Sequence, residues 1–458
     1  MTPAGTDRTR LLLLLALAAT VTVFTATVPL LRDWFDLRVY HGAVDHWIHH
    51  GGRIYDYRVP GTPYGFTYPP FAAVAMLPMA LLGLHTAIAV ALLLNVAALA
   101  VVLRILIGPA WRRYGWYGCA RGACLLALFE PLRDTISFGQ VNLLLLALVL
   151  TDARLLAGGR ERWAGVGIGL AAAIKLTPAL FIGLLLLTGR RREAARATAV
   201  AAGATAFAAC VAPDASRYYW TEAMWDTTRV GRLDYVSNQS LQGILARLGE
   251  SDRAVWAAAV LVVLCVWASR SRRAVAAGQW QTAFALTGLT ACLVSPITWV
   301  HHLVWLLPSF VVLVRAGHPR VAGALYAVLC TSVVWLWFDD ASGVDGFLGS
   351  NTYTWITLGL LLWLPVGQLR SARPALSRSA SATAPAPSTA APAIAPVPGQ
   401  PGLSSPGGGT AEGSAAGPVR GRTRSASSDP TGSTCPAAAK PQSSSARASS
   451  YTVKPPPA

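Results

Sequence analysis

Charge is scarce in this chain. Lys, Arg, Asp and Glu make up 13% of the 458 residues, about half the share of a soluble domain. Lysine is nearly missing, and Lys175 is the only one before the C-terminal tail. A chain so poor in charge and 53% hydrophobic does not cover itself with solvated surface, which excludes an ordinary soluble enzyme. The seven cysteines lie mostly within apolar segments, at Cys124, Cys210, Cys265, Cys292 and Cys330. With no CxxC spacing and no pairing pattern they read as small helix residues, not as a disulfide framework or metal site. There is no Walker motif and no nucleophile elbow, and no segment suits a soluble nucleotide-binding domain. Gly165, Gly167 and Gly169 follow no strand, so they read as close helix packing. No internal repeat is evident.

What the chain does have is apolar runs of about 20 residues, recurring from Leu11 to about Leu369. They predict an all-α polytopic membrane protein. Candidate spans fall near 11–31, 69–84, 86–107, 120–136, 140–157, 163–188, 195–213, 253–270, 279–296, 302–316, 321–338 and 352–369. The first run is longer than a signal-peptide core and lacks a small-x-small cleavage site, so it is expected to be a retained helix. The net charge of +17 comes largely from arginines at span ends, such as Arg154, Arg160, Arg162, Arg190 to Arg192 and Arg270 to Arg273. The positive-inside rule makes these cytoplasmic loops, not a nucleic-acid surface. Residues 32–68, 214–252, 295–301 and 339–351 then fall on the outer side of a plasma membrane. Arg104, Arg112, Arg113 and Arg121 break simple alternation between 84 and 163, and splitting 163–188 at Lys175–Pro178 restores parity elsewhere. The expectation is roughly 11–13 spans with both termini inside. Residues 1–10 are cytoplasmic, 11–370 form the membrane domain, and 371–458, rich in Ala, Pro, Ser and Gly, form a disordered cytoplasmic tail.

Four polar groups sit at span ends. Asp33 and Asp36 open the first outer loop, where partial desolvation raises a carboxylate's proton affinity toward that of a useful base; capping of a membrane-surface helix is the alternative. Gln140 and Asn142, beside Gly139, suit hydrogen bonding to sugar hydroxyls or between helices. Lys175, followed by Thr177-Pro178, is an ammonium at membrane depth, which calls for a partner or a function. A lipid phosphate and an ion pair with a neighbouring helix are both open. His301 and His302, after Ser295-Pro296-Ile297-Thr298-Trp299, suit phosphate or sugar. Consecutive helical residues point about 100° apart, so a shared metal is disfavoured and none is expected. Asn238-Gln239-Ser240 fits a glycosylation sequon or part of an aromatic-rich outer loop.

A sugar-nucleotide-dependent glycosyltransferase needs a cytoplasmic nucleotide domain; an enzyme working on the outer side would instead draw on a lipid-borne activated sugar. Six strings support this. Asp36-Leu37-Arg38-Val39-Tyr40, Phe66-Thr67-Tyr68-Pro69-Pro70-Phe71, Gly139-Gln140-Val141-Asn142, Ala173-Ile174-Lys175-Leu176-Thr177-Pro178, Asn238-Gln239-Ser240-Leu241 and Ser295 through His302 occur in order. Together they resemble the polyprenol-phosphate-mannose-dependent glycosyltransferases of family 87 over about residues 10 to 370. The resemblance implies a GT-C membrane fold and an inverting transfer from a β-linked polyprenyl-phosphate sugar to an α-linked product, with no cofactor. The acceptor would be a mannolipid or cell-envelope glycan. By the same resemblance Asp36 is the general base, His301, His302 and Lys175 hold the donor phosphate, and Tyr40, Tyr68, Gln140, Asn142, Asn238 and Gln239 shape the sugar sites. An arabinofuranosyl donor is the nearest alternative; a transporter or flippase and a silent scaffold are further ones. The high Ala, Arg and Gly content is compatible with an actinobacterial source.

Overall fold

The computed structural model describes residues 3–27, 33–250 and 252–367. The chain divides into two units, Met1–Ala375 and Leu376–Ala458; the second, like the whole of the tail expected at 371–458, lies outside the described residues. The described part is helical, and its only β-pairing is an isolated antiparallel bridge between Arg58 and Gly65. In chain order the helices are α1 (Pro3–Thr27), α2 (Phe35–His49), α3 (Pro70–Ala75), α4 (Leu84–Leu128), α5 (Glu130–Ser137), α6 (Asn142–Ala157), α7 (Val166–Ile174), α8 (Leu180–Leu187) and α9 (Arg191–Val211). There follow α10 (Pro213–Thr221), α11 (Leu241–Arg247), α12 (Arg253–Ala276), α13 (Trp280–Val294), α14 (Leu307–Arg315), α15 (Pro319–Cys330), α16 (Gly343–Gly349) and α17 (Thr352–Trp363).

Four of these are long and apolar enough to cross a bilayer, within α1, α4, α9 and α12. The protein is a multi-pass membrane protein. Among the described residues, fewer straight spans are present than the roughly one dozen expected. Several apolar runs are short helices joined at breaks, a backbone that lipid does not tolerate but that protein packing does. The runs at 86–107 and 120–136 are joined in α4, interrupted at Gly115 with φ +60°. The second run then stops at Phe129, and α5 begins with Glu130 and Pro131, whose missing N–H cannot continue the α4 ladder. α5 and α6 meet at 118°, so 120–136 and 140–157 are not two straight spans. The expected split of 163–188 is present: α7 ends at Lys175, which is extended at φ −146°, ψ 133°, and the chain resumes helically through Thr177–Ala179 into α8.

Close packing of α7 depends on its glycines. A Cβ on Gly167 would lie 2.4 Å from the Leu148 carbonyl oxygen on α6, and one on Gly169 would lie 2.5 Å from the Ala197 carbonyl oxygen on α9. Asp152 of α6 accepts the Ile168 N–H at 2.8 Å, satisfying one of the open donors of the first turn of α7. These contacts bear out the helix-packing reading of the Gly165–Gly169 run.

Two apolar cores result. The larger is centred on α13, buried along nearly its whole length and packed against α6, α8, α12, α14 and α17. The smaller is aromatic and holds Tyr40, Tyr55, Phe66, Tyr68 and Tyr219 around α2 and the segment 54–73. Val141 and Ile174 touch both cores. The residues beside them, Gln140, Asn142 and Lys175, therefore sit at the seam.

Candidate active site

The seam is set by how α2 docks on the α5–α6 corner. The Trp34 N–H donates to the Ser137 carbonyl and the Leu37 N–H to the Phe138 carbonyl, both at 3.0 Å. Gly139 turns the corner at φ +73°, and a Cβ there would come within 2.6 Å of the Leu37 Cβ. Only glycine permits both the conformation and the approach. The docking faces Asp36 toward Gln140. No side-chain cap is made at the α2 N-terminus, and Asp33 is occupied by an exposed ion pair with Arg38 at 2.6 Å. The capping alternative therefore does not describe Asp36.

A directed chain of hydrogen bonds runs through the seam. Lys175 Nζ donates to the Tyr68 hydroxyl at 3.2 Å and lies 4.8 Å from the centre of its ring. Tyr40 also donates to that hydroxyl, at 2.9 Å. Tyr68 in turn donates to Gln140 Oε1 at 2.7 Å, and Gln140 Nε2 donates to Asp36 Oδ2 at 2.6 Å. The Tyr68 oxygen thus uses its one donor and both acceptor positions. Since both Gln140 contacts are fixed, the amide has one orientation and presents its N–H to the carboxylate. Asp36 lies outside the candidate spans. Burial pushes its carboxyl up to about 6, against the lowering effects of the Gln140 hydrogen bond and the Lys175 charge.

On the other side of Lys175 the ammonium donates to Asn142 Oδ1 at 3.3 Å and sits 2.8 Å from His302 Nε2. The Trp299 N–H points at His302 Nδ1 at 3.1 Å and makes that atom the acceptor. His301 is placed one layer deeper: its ring packs on Phe138 and His302, and its carbonyl accepts from Thr135 at 2.9 Å and Asn142 at 3.2 Å. The structure therefore brings Asp36, Tyr40, Tyr68, Gln140, Asn142, Lys175 and His302 into one cluster.

Asn238 and Gln239 are placed elsewhere. Both are fully buried, and their amides serve the backbone. Asn238 donates to the Leu233 and Pro296 carbonyls and accepts the Thr298 N–H; Gln239 donates to the Val236 and Ser350 carbonyls and accepts from Thr354. Such an asparagine is not available as a glycosylation acceptor. These two side chains brace the 295–302 segment against α17, and through it the position of His302.

Sequence reading passed over a further supporting group on α5. Thr135 holds the His301 carbonyl, Arg133 donates to Ser332 at 3.0 Å, and the buried Glu130 accepts from Trp335 at 2.6 Å and from Tyr353. Its signal was present: Glu130, Arg133 and Asp134 fall within an apolar run, where charge is expensive.

The model of glycosyltransferase family 87 matches residues 66–296, half of the chain. The chain belongs to glycosyltransferase family 87. The matched segment contains Tyr68, Gln140, Asn142, Lys175, Asn238 and Gln239, while Asp36, Tyr40, His301 and His302 lie outside it. Among the proteins similar to the chain is the polyprenol-phosphate-mannose-dependent alpha-(1-2)-phosphatidylinositol mannoside mannosyltransferase of Mycolicibacterium smegmatis, 38% identical over 57% of the chain. That alignment spans 64% of the relative, under two thirds of its length. The protein of the same name from Mycobacterium tuberculosis is 33% identical over 65% of the chain and 74% of its own length. A polyprenol-phosphate-mannose-dependent alpha-(1-2)-phosphatidylinositol pentamannoside mannosyltransferase of the same species is 32% identical over 70% of the chain and 76% of its own. No solved structure matches the chain.

Proposed function

We propose that this family 87 protein moves mannose from a polyprenyl-phosphate-mannose donor to a phosphatidylinositol mannoside acceptor at the extracytoplasmic face of the plasma membrane. The names of its relatives support the donor and the acceptor. The arginine distribution supports the face. The observation that carries the chemistry is the pairing of one raised, oriented carboxylate with a separate cationic group at the same seam.

In this reading the acceptor hydroxyl oxygen bonds to the anomeric carbon on the side opposite the phosphate. Asp36 takes the hydroxyl proton. The bond between the anomeric carbon and the phosphate oxygen breaks, its electron pair goes to that oxygen, and the configuration inverts from β to α. The departing polyprenyl phosphate carries one more negative charge than it did in the donor. With Nδ1 accepting from Trp299, the neutral His302 ring bears its hydrogen on Nε2, toward Lys175. Two donors then converge, and a phosphate oxygen between them satisfies both, most strongly as its charge develops. His301 supports this arrangement from behind, Tyr40, Tyr68, Gln140 and Asn142 shape the sugar site, and Asn238 and Gln239 act as braces.

The test is transfer of labelled mannose by the purified protein in lipid, from polyprenyl-phosphate-mannose to a phosphatidylinositol mannoside, beside the Asp36→Asn variant. The expected result is an α-linked product from wild type alone, its configuration read by NMR. Transfer from polyprenyl-phosphate-arabinofuranose in place of the mannosyl donor would replace this reading, and a β-linked product would remove the single-displacement mechanism.

A further inference from the structure

Two arginines of the aromatic core share one acceptor. Arg58 NH1 and Arg229 NH2 each donate to the Tyr55 carbonyl oxygen at 2.7 Å, so the two nitrogens stand no farther apart than twice that distance. Like charges so close repel. Neither guanidinium has an ion-pair partner among the described residues. The carboxylates that act on them from nearby, Asp56 and Asp226, are both exposed, and Asp226 is occupied by Thr228. Arg229 is also held in place, with NH1 on the Tyr218 hydroxyl at 3.0 Å and its carbon 5.5 Å from the Tyr218 ring centre. Its Nε is buried with no hydrogen-bond partner. Arg58 is folded over its own hairpin, against Gly65, and reaches the Tyr57 carbonyl at 2.9 Å. Two guanidiniums fixed side by side on one neutral oxygen are suited to bracket a tetrahedral anion.

This pair is separate from the Lys175–His302 pair. Tyr55 lies between them: its carbonyl takes the arginines, while its hydroxyl donates to the Tyr68 carbonyl at 2.7 Å. One tyrosine therefore separates the arginine pair from the residue that orients Gln140 and Asp36. We infer that Arg58 and Arg229 form a second anion site, which holds the phosphodiester of the acceptor lipid while the acceptor's sugar reaches Asp36. The inference rests on the reading that the acceptor is a phosphatidylinositol mannoside, an anionic glycolipid, and that the donor phosphate lies at Lys175 and His302.

The experiment uses the full chain in nanodiscs of zwitterionic lipid, with Arg58→Gln and Arg229→Gln beside wild type. Initial rates are measured at saturating donor against a phosphatidylinositol mannoside and against a neutral alkyl mannoside ending in the same sugar. The expected result is a KM for the anionic acceptor raised about tenfold in each variant, the loss of a hydrogen bond to a charged group, with the neutral acceptor unchanged. An equal loss on both acceptors would reduce the pair to a loop brace and overturn the inference. A raised KM for the donor would move the site to the donor phosphate, and a variant defect seen only in nanodiscs containing anionic lipid would assign it to a bilayer headgroup; either overturns the acceptor assignment. Binding is read separately, as the rise in unfolding midpoint of wild type with added glycerophosphoinositol. That rise is expected to vanish in Arg58→Gln, and its absence in wild type would also overturn the inference. If wild type uses neither acceptor but still responds to glycerophosphoinositol, the functional reading fails while the anion site stands.

Discussion

Gln140 donates to Asp36 at 2.6 Å from 104 positions away in sequence, and the same side chain accepts from Tyr68 at 2.7 Å. The carboxylate is thus met by an N–H whose orientation is set behind it. An acceptor hydroxyl would approach Asp36 with Gln140 already in place, and the second carboxylate oxygen carries no hydrogen bond from Gln140.

This relationship fixes a pH dependence. Burial raises the Asp36 carboxyl to about 6, and a general base acts in its ionised form, so kcat/KM is expected to climb as pH rises through about 6 and to fall off below it. Gln140→Leu removes a donor that favours the ionised form. Its profile should move to higher pH, with the largest loss at neutral pH and partial recovery above pH 8. Asp36→Asn should lose about 10²–10⁴-fold on the plateau above about pH 6, and its residual rate should lack the rise through that pH. A Gln140→Leu profile that lowers the plateau without moving the midpoint would mean that Gln140 acts on sugar rather than on Asp36.

Gly139 is expected to tolerate no side chain. Gly139→Ala combines a φ of +73° with a Cβ 2.6 Å from the Leu37 Cβ. Either α2 lifts from the α5–α6 corner or the corner opens, at a cost on the order of 1–3 kcal/mol. Because Leu37 adjoins Asp36, kcat should fall more than the unfolding midpoint alone accounts for. Normal kcat in the folded fraction would show that α2 docking is not what positions the base.

The helical architecture was legible because apolar runs of membrane length leave few other solutions, and Lys175 with Pro178 marked a real break. What was hidden was where helices end and join relative to those runs. Pro131 breaks the chain inside 120–136, Gly115 lies between two runs that a single helix joins, and at Gly139 the Ser137 and Phe138 carbonyls are taken up by α2; hydropathy averages across such points. Within the site, Asp36, Gln140, Asn142, Lys175 and His302 were all named from residue type at span ends. Asn238 and Gln239 stand out only through a sequon and the family resemblance, and they bond to the backbone. An amide facing a sugar and one facing a carbonyl look alike in sequence; only the 295–302 segment folded against them separates the two roles.

Asn238→Ala tests that distinction. It removes two donors and one acceptor from a fully buried position, leaving the Thr298 N–H and the Leu233 carbonyl without this partner. Each such group costs about 1–3 kcal/mol, so the unfolding midpoint should drop markedly. The acceptor KM of the folded fraction should hold. A stable variant with a raised acceptor KM would return Asn238 to the sugar site.

Lys175 should prove sensitive to shape as well as charge. Lys175→Met removes the ammonium that faces His302 Nε2 at 2.8 Å, and with it one of the two donors assigned to the departing phosphate. A loss of about 10²–10³-fold in kcat is expected, comparable to removing one oxyanion donor, together with weaker donor binding. Lys175→Arg keeps the charge but replaces a compact ammonium with a planar fork. Three groups, the Tyr68 hydroxyl, Asn142 Oδ1 and His302 Nε2, lie within 3.3 Å of the one nitrogen, and a guanidinium at that point displaces at least one of them. Displacing Tyr68 reaches Asp36 through Gln140, so Lys175→Arg should also shift the pH profile. Full rescue by arginine would mean that Lys175 supplies only a diffuse positive field, and the hydrogen-bond chain from Lys175 to Asp36 would then carry no part of the catalysis.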